Sequence, residues 1–275
     1  SKAGNKKKIG GSKGKQAFTS LFFVLSHIIL SPFLGIFIFS SCLYSYISYI
    51  IRTFAGEKKK NKMDKYIILS PEAKGTFNDR LNFLYLKLGN YLDTEKLGNR
   101  TLQYCKVFLS DSQNQIREFE VSLLYQEYLK DTHLTVVEQP PLNGSKISLL
   151  IKTTDDKTPI LFHSLRLTEE EAKGKDSYEQ TRMLFDKYQQ LITGTDITME
   201  RNLVRTWIYV THIDVNYQGV VEARNDVFDQ QGLTAETHYI ASTGIGGATS
   251  VRHASVAIDF LTIPHIKEED KKYLQ

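Results

Sequence analysis

Alternation of side-chain character is clearest over residues 203–211. The even positions are Val204, Thr206, Ile208 and Val210; the odd positions are Leu203, Arg205, Trp207, Tyr209 and Thr211. Successive side chains of a strand point to opposite faces. One face of this strand is therefore small and β-branched, suited to packing under helices. The other is aromatic and cationic, and reads either as sheet covered by neighbouring chain or as a ligand cleft. Tyr217, Val220, Val221, Arg224, Val227 and Phe228 then recur at the spacing of one helix face. Residues 241–247, Ala-Ser-Thr-Gly-Ile-Gly-Gly, predict a second strand that ends in a glycine loop. Strand, crossover helix and strand make a βαβ unit.

Two features of this unit carry candidate chemistry. Arg224 falls inside the apolar stripe, and a buried guanidinium cannot shed its charge. Its partner is either an internal carboxylate or carbonyl, or a ligand anion at a cleft or subunit boundary. In the second feature, the hydroxyls of Ser242 and Thr243 and the backbone at Gly244 and Gly246 could receive a carboxylate. The alternative there is a plain strand-end turn. The spacing is not that of a dinucleotide or phosphate-binding loop.

A similar pattern lies upstream. Residues 102–111 predict a strand, 115–129 a helix, and 133–137 and 146–152 two further strands, separated by Pro140-Pro141 and Asn143-Gly144. Residues 254–261 predict the matching last strand of the later copy. An amphipathic helix precedes each copy, at 77–91 and 178–192. The spacing of about 100 residues predicts a tandem of two domains rather than a short-period solenoid. Strands alternating with helices imply sheets covered on one face.

The first 62 residues differ in composition. A basic tail occupies 1–16, and residues 16–51 contain no Asp, Glu, Lys or Arg. That is long enough for a membrane span of about 20 apolar residues, although Ser31-Pro32 divides it. The expectation for 17–52 is a membrane-anchoring apolar helical segment. The competing expectation is that the natural chain starts at Met63 and that the preceding residues are translated upstream sequence.

Removing that segment reverses the charge. The whole chain has 35 basic and 31 acidic residues; residues 1–62 hold 11 and 1 of them, leaving 24 and 30, a net of −6. That balance opposes binding to a phosphate backbone, so no nucleic-acid partner is expected. Cys42 and Cys105 exclude a disulfide framework, and Cys105 reads as a small core residue. No C-x-x-C pair or histidine cluster has metal-ligand spacing, so neither metal nor cofactor is expected.

The segments Arg205-Thr-Trp-Ile-Tyr-Val, Ala223-Arg224 and Ala241-Ser-Thr-Gly-Ile-Gly resemble the amino-terminal half of chorismatases, within the RidA/YjgF (endoribonuclease L-PSP) superfamily. The resemblance covers about residues 158–263 of this chain. It implies a small α/β unit with two helices on one sheet. Three such units form a trimer, or a pseudo-trimer in tandem proteins, with ligand sites in the clefts between units. The expected fold class is α+β: two tandem RidA-like, chorismate-mutase-like βαβ domains at 63–154 and 155–266, then a tail at 267–275.

The resemblance makes Arg205, Tyr209, Arg224, Ser242, Thr243, Gly244 and Gly246 the candidate ligand-binding residues. It implies a small carboxylate metabolite as partner, with a homo-oligomer or pseudo-trimer as the assembly. The expected location is cytoplasmic for 63–275, or membrane-anchored through 17–52. Active deaminases of the family hold the substrate carboxylate with an arginine near the penultimate strand. Thr243 or a neighbour stands there in the second copy, and Val136-Val-Glu-Gln in the first, which counts against enamine or imine deamination. Chorismatases carry their acid/base carboxylate in a carboxy-terminal half, so hydrolysis of a chorismate-like acid is expected only where such a half is present. A non-catalytic structural or regulatory binding module is the competing class.

Overall fold

The computed structural model describes residues 64–272 except Ala73. The expectations for the basic tail and the apolar segment 17–52 lie outside the described residues. Among the described residues no helix is long and apolar enough to cross a membrane. The described residues belong to one compact unit.

Within that unit the same succession of elements occurs twice. The first run is β1 (Asp64–Leu69), α1 (Phe77–Leu97), β2 (Thr101–Leu109), α2 (Ser112–Val121), β3 (His133–Glu138) and β4 (Ile147–Thr154). The second is β5 (Leu161–Leu165), α3 (Ser177–Ile192), β6 (Leu203–Val210), α4 (Ile213–Gln230), β7 (Ala241–Gly246) and β8 (Val256–Thr262). Each run makes a four-stranded sheet, ordered β1-β4-β2-β3 and β5-β8-β6-β7. In both, the crossover after the second strand gives a parallel pair, β2 with β3 and β6 with β7, and all other pairs are antiparallel. Both sheets also carry a register shift at the same place, between Leu102 and Tyr104 and between Leu203 and Arg205. The α+β expectation holds in this form: two four-stranded sheets with helices.

Local chemistry sets the helix ends. Thr76 and Asp79 form a capping box at the start of α1, and Asp176 and Glu179 do so at the start of α3. Each satisfies backbone N–H groups that the first turn leaves free. Leu81, Leu84 and Leu88 of α1 pack with Phe119 of α2 on Cys105, Val107, Leu149 and Ile151. Leu184, Phe185 and Tyr188 of α3 pack with Val220, Val227 and Phe228 of α4 on Ile208, Ile258 and Phe260. Helices therefore cover one face of each sheet. Cys105 is a fully buried core residue, and burial pushes its thiol well above the usual range.

Two expectations need correction. The helix expected over 115–129 is broken at Ser122, whose backbone is extended. Its hydroxyl donates to the Phe119 carbonyl at 2.6 Å and accepts from the Tyr125 N–H at 3.3 Å. That competition with the helical ladder is how serine ends helices, and a π-helical turn, Leu124–Leu129, resumes beyond it. Ala241–Gly246 is itself strand β7, hydrogen-bonded along its length to β6, not a loop beyond a strand end.

The sheet faces that carry no helix meet one another. Val137, Tyr209 and Ala257 are buried between the sheets, flanked by Phe108, Trp207 and Ile245. Glu138 and Ala248 exchange backbone hydrogen bonds of 2.8 and 2.9 Å across this seam. The Thr135 hydroxyl donates to the Ser164 hydroxyl at 3.1 Å.

Candidate functional site

Period-two alternation decides what faces the seam. With Cys105 and Val107 turned to the helices, Tyr104, Lys106 and Phe108 of β2 point the other way. Arg205, Trp207 and Tyr209 of β6 do the same in the second sheet. Antiparallel pairing sets Asp259 of β8 beside Trp207, which turns a carboxylate inward as well.

These groups form a buried polar cluster between the two halves. Lys106 donates to the Tyr209 hydroxyl at 2.6 Å and to Asp259 at 2.9 Å. Tyr209 donates to Asp259 at 2.9 Å, and Arg166 reaches the other carboxylate oxygen at 3.4 Å. The Lys106 ammonium lies 3.7 Å from the centre of the Trp207 ring, a cation–π contact. Asp259 is 0 % exposed and Lys106 3 %. Burial alone would push the Asp259 carboxyl up, but Arg166 and Lys106 outweigh it and hold the group below its ordinary range. Burial, with help from Arg166 and Arg205, pulls the Lys106 ammonium below its own ordinary range against the opposing pull of Asp259. Tyr209 is pushed up by burial and by Asp259, so its hydroxyl stays protonated.

Beside the cluster lies a cleft of about 340 Å³. Tyr66, Tyr104, Trp207, Phe108 and Ile245 supply its aromatic and apolar wall, and Lys106, Lys152 and Arg205 its charges. Among the described residues no acidic side chain lines it. Lys152 is neutralised by Asp64 at 2.9 Å and Lys106 by Asp259. Arg205 is different. Its guanidinium stacks 4.8 Å from Trp207 and donates to the Thr243 hydroxyl at 3.3 Å, while its Nε is buried without a hydrogen-bond partner.

The residues singled out from sequence separate in space. Arg205 and Tyr209 line this cleft, and Thr243 supports Arg205. Ser242, Gly244 and Gly246 occupy the alternate positions of β7 and face the helix side. Ser242 accepts a hydrogen bond from Thr206 at 2.9 Å. A Cβ on Gly244 would stand 2.4 Å from the Tyr217 ring, and one on Gly246 3.8 Å from Ile213. Gly244 lets α4 approach the sheet, whereas a Cβ at Gly246 would make only an ordinary contact.

Arg224 is not the buried charge that its spacing predicts. The buried positions of α4 are Val220, Ala223, Val227 and Phe228, and Arg224 is half-buried at the stripe's edge. It donates to Asn225 at 2.8 Å and lies 5.9 Å from the Phe228 ring. With Ser242 it lines a separate cavity of about 500 Å³, which also contains Asp229. A third depression, about 290 Å³, has Asp131, Asp156 and Lys157 in its wall. Both of these mix charges of either sign; of these three, among the described residues, the inter-sheet cleft is the one that is cationic without a carboxylate.

Sequence reasoning missed Lys106, Lys152 and Asp259. A signal was present: Tyr104-Cys-Lys-Val-Phe alternates aromatic and cationic residues as Arg205-Thr-Trp-Ile-Tyr does. Asp259 interrupts an otherwise apolar strand.

No protein-family profile matches this chain, and no curated protein does. Several solved structures are similar to it. A chorismatase crystal structure is 15% identical over 75% of this chain, with a TM-score of 0.42. The matched part is 55% of that chorismatase chain's length. A protein from Salmonella typhimurium, named as a candidate translation initiation inhibitor, is 10% identical over 41% of this chain and 87% of its own, with a TM-score of 0.28. A protein of unknown function from Pseudomonas aeruginosa is 21% identical over 41% of this chain and 78% of its own, with a TM-score of 0.31.

Proposed function

We propose that this protein binds a small planar carboxylate in the cleft between its two sheets. Arg205 receives the carboxylate, while Trp207, Tyr104 and Tyr66 flank the ring or chain of the ligand. One observation carries the reading: among the described residues three cations and no acid line the cleft, and the one of these cations without a carboxylate partner has a buried, unbonded Nε–H. A buried donor without a partner is costly, and a ligand oxygen would relieve that cost. A guanidinium fork also matches carboxylate geometry. The cleft's volume suits a metabolite rather than a polymer, and the net charge of residues 63–275 is negative.

Binding is favoured over hydrolysis of an enol-ether acid by the state of Asp259. Ether cleavage needs a proton donor at the leaving oxygen. At rest the carboxyl at this cluster is held ionised by Arg166 and Lys106, so it has no proton of its own to give to an ether oxygen, and it does not line the cleft.

Calorimetric titration of the full-length protein with benzoate tests the reading, with benzyl alcohol as the uncharged control. Benzoate should bind and benzyl alcohol should not. Arg205→Gln should weaken benzoate by about 1.5–3 kcal/mol, roughly ten- to hundredfold, the range for a hydrogen bond to a charged group. Equal affinity for both probes, or an unchanged affinity in Arg205→Gln, would overturn it.

A further inference from the structure

The buried lysine of the cleft is left over by a purely binding role. Lys106 sits on the wall of the same cavity as Arg205, and its amine is flanked by a hydroxyl at 2.6 Å, a carboxylate at 2.9 Å and an indole face at 3.7 Å. The three neighbours are linked, because Tyr209 itself donates to Asp259 at 2.9 Å. An amine, a proton relay and a carboxylate receptor in one cleft are the parts required for reversible imine chemistry.

We propose that Lys106 is a nucleophile that forms an imine with a 2-oxo acid whose carboxylate Arg205 holds. This rests on the carboxylate reading of Arg205 and adds the substrate class. Asp259 takes a proton from the Lys106 ammonium. The freed nitrogen lone pair attacks the keto carbon, and the carbonyl π pair moves onto oxygen. That oxygen is protonated from the Tyr209–Asp259 pair, giving a carbinolamine. Asp259, again a carboxylate, takes a second proton from the now cationic nitrogen and passes it through Tyr209 to the hydroxyl; the nitrogen lone pair so freed expels water and forms the carbon–nitrogen double bond. Ammonium and ketone become iminium and water. Charge is conserved overall, so the iminium ends paired with the Asp259 carboxylate as the ammonium began. No oxidant, metal or further reactant is required.

The environment suits the step. Burial and the neighbouring guanidinium groups pull the Lys106 ammonium below its ordinary range, which raises the fraction of free amine; lysines shifted in this way serve as Schiff-base formers. Arg205 and Lys106 belong to opposite sheets, so the carboxylate and keto group of one short acid would bridge the seam.

Reductive trapping tests this directly. The full-length protein is incubated with phenylpyruvate and sodium cyanoborohydride, then mapped by peptide mass spectrometry. The reduced adduct should accumulate on Lys106 roughly tenfold or more over any other lysine, since Arg205 would hold the keto acid beside this amine alone. It should saturate with phenylpyruvate and be suppressed by benzoate. Lys106→Arg keeps a cation opposite Asp259 and should abolish it. Label spread evenly over surface lysines, or label at Lys106 that benzoate does not suppress, would overturn the proposal whether or not the variant folds. Phenylpyruvate that binds without any adduct would remove the imine and leave the carboxylate reading standing. Absence of both binding and adduct would remove both.

Discussion

Replacing Asp259 by Asn keeps the side chain's shape and removes the only carboxylate among the described residues that pairs with Lys106. The magnitude follows from burial. The Lys106 side chain is 4 % exposed, and Asp259 is its counter-charge at 2.9 Å. Breaking one side of a buried pair typically costs about 3–5 kcal/mol. The lysine has an escape, which sets a ceiling: it can lose its proton. At pH 7 that costs about 4.6 kcal/mol from an ordinary pKa near 10.4. The loss in Asp259→Asn should therefore approach, but not exceed, about 5 kcal/mol including the Tyr209 hydrogen bond. The variant's folded state then holds fewer protons than its unfolded state, so its stability rises with pH. The gap to wild type should narrow between pH 7 and pH 9. Lys106→Met leaves Asp259 with Arg166 at 3.4 Å and should cost less, and the double variant should cost clearly less than the two singles added. Urea unfolding of the full-length chain can be followed by Trp207 fluorescence, since Trp207 is the only tryptophan. A loss below about 1 kcal/mol in Asp259→Asn, a gap independent of pH, or additive singles would refute the view that this pair joins the two sheets.

Three further expectations address other parts of the fold. Glu95 is 2 % exposed and is held by Arg100, by Lys65 at 2.9 Å and by Thr153 at 3.0 Å, which brings its carboxyl down to about 2. A depressed carboxyl stabilises fully above its unfolded value and loses that contribution as pH falls from about 4.5 through 2. Allowing for the solvent around Lys65, this is about 2 kcal/mol, and acid titration of Glu95→Gln should lack that component. Gly219 lets α4 approach α3 so closely that a Cβ would meet Ser177 Oγ at 2.5 Å and the Tyr178 backbone nitrogen at 3.0 Å; thermal melts of Gly219→Ala should show a loss of about 1–3 kcal/mol. Arg224→Ala should change stability by no more than about 0.5 kcal/mol, because the guanidinium is half-buried and contacts Asn225 and the Phe228 ring; a loss of several kcal/mol in chemical denaturation would contradict its placement.

Much of the second half is legible in sequence because β6 and α4 have clean periods, two and 3.6, over eight or more residues. Edge strands β1 and β5 are not. They are short, each pairs with a single neighbour, and Tyr66 and Ile68 of β1 stay exposed, so no alternation marks them. The break at Ser122 depends on one hydroxyl choosing the Phe119 carbonyl, which periodicity does not encode. Arg224 shows the opposite failure. Its spacing fits the stripe, but the buried arc of α4 is narrower and centred on Ala223. The aromatic, cationic face of β6 announces a cleft or an interface, and it supplies one wall of both. The other wall comes from Tyr104, Lys106 and Lys152, far away in sequence, and only packing of the two sheets brings Lys106 to Asp259.

The central claim is that a carboxylate enters the cleft beside Arg205 and Trp207. Trp207 is the chain's only tryptophan and lines that cleft, so its fluorescence reports on this site and no other. Titrating the full-length protein with benzoate should change the emission saturably, and Arg205→Gln should shift the midpoint upward by about tenfold or more. Emission that stays flat with benzoate, or a midpoint unmoved by loss of the Arg205 guanidinium, would contradict the account.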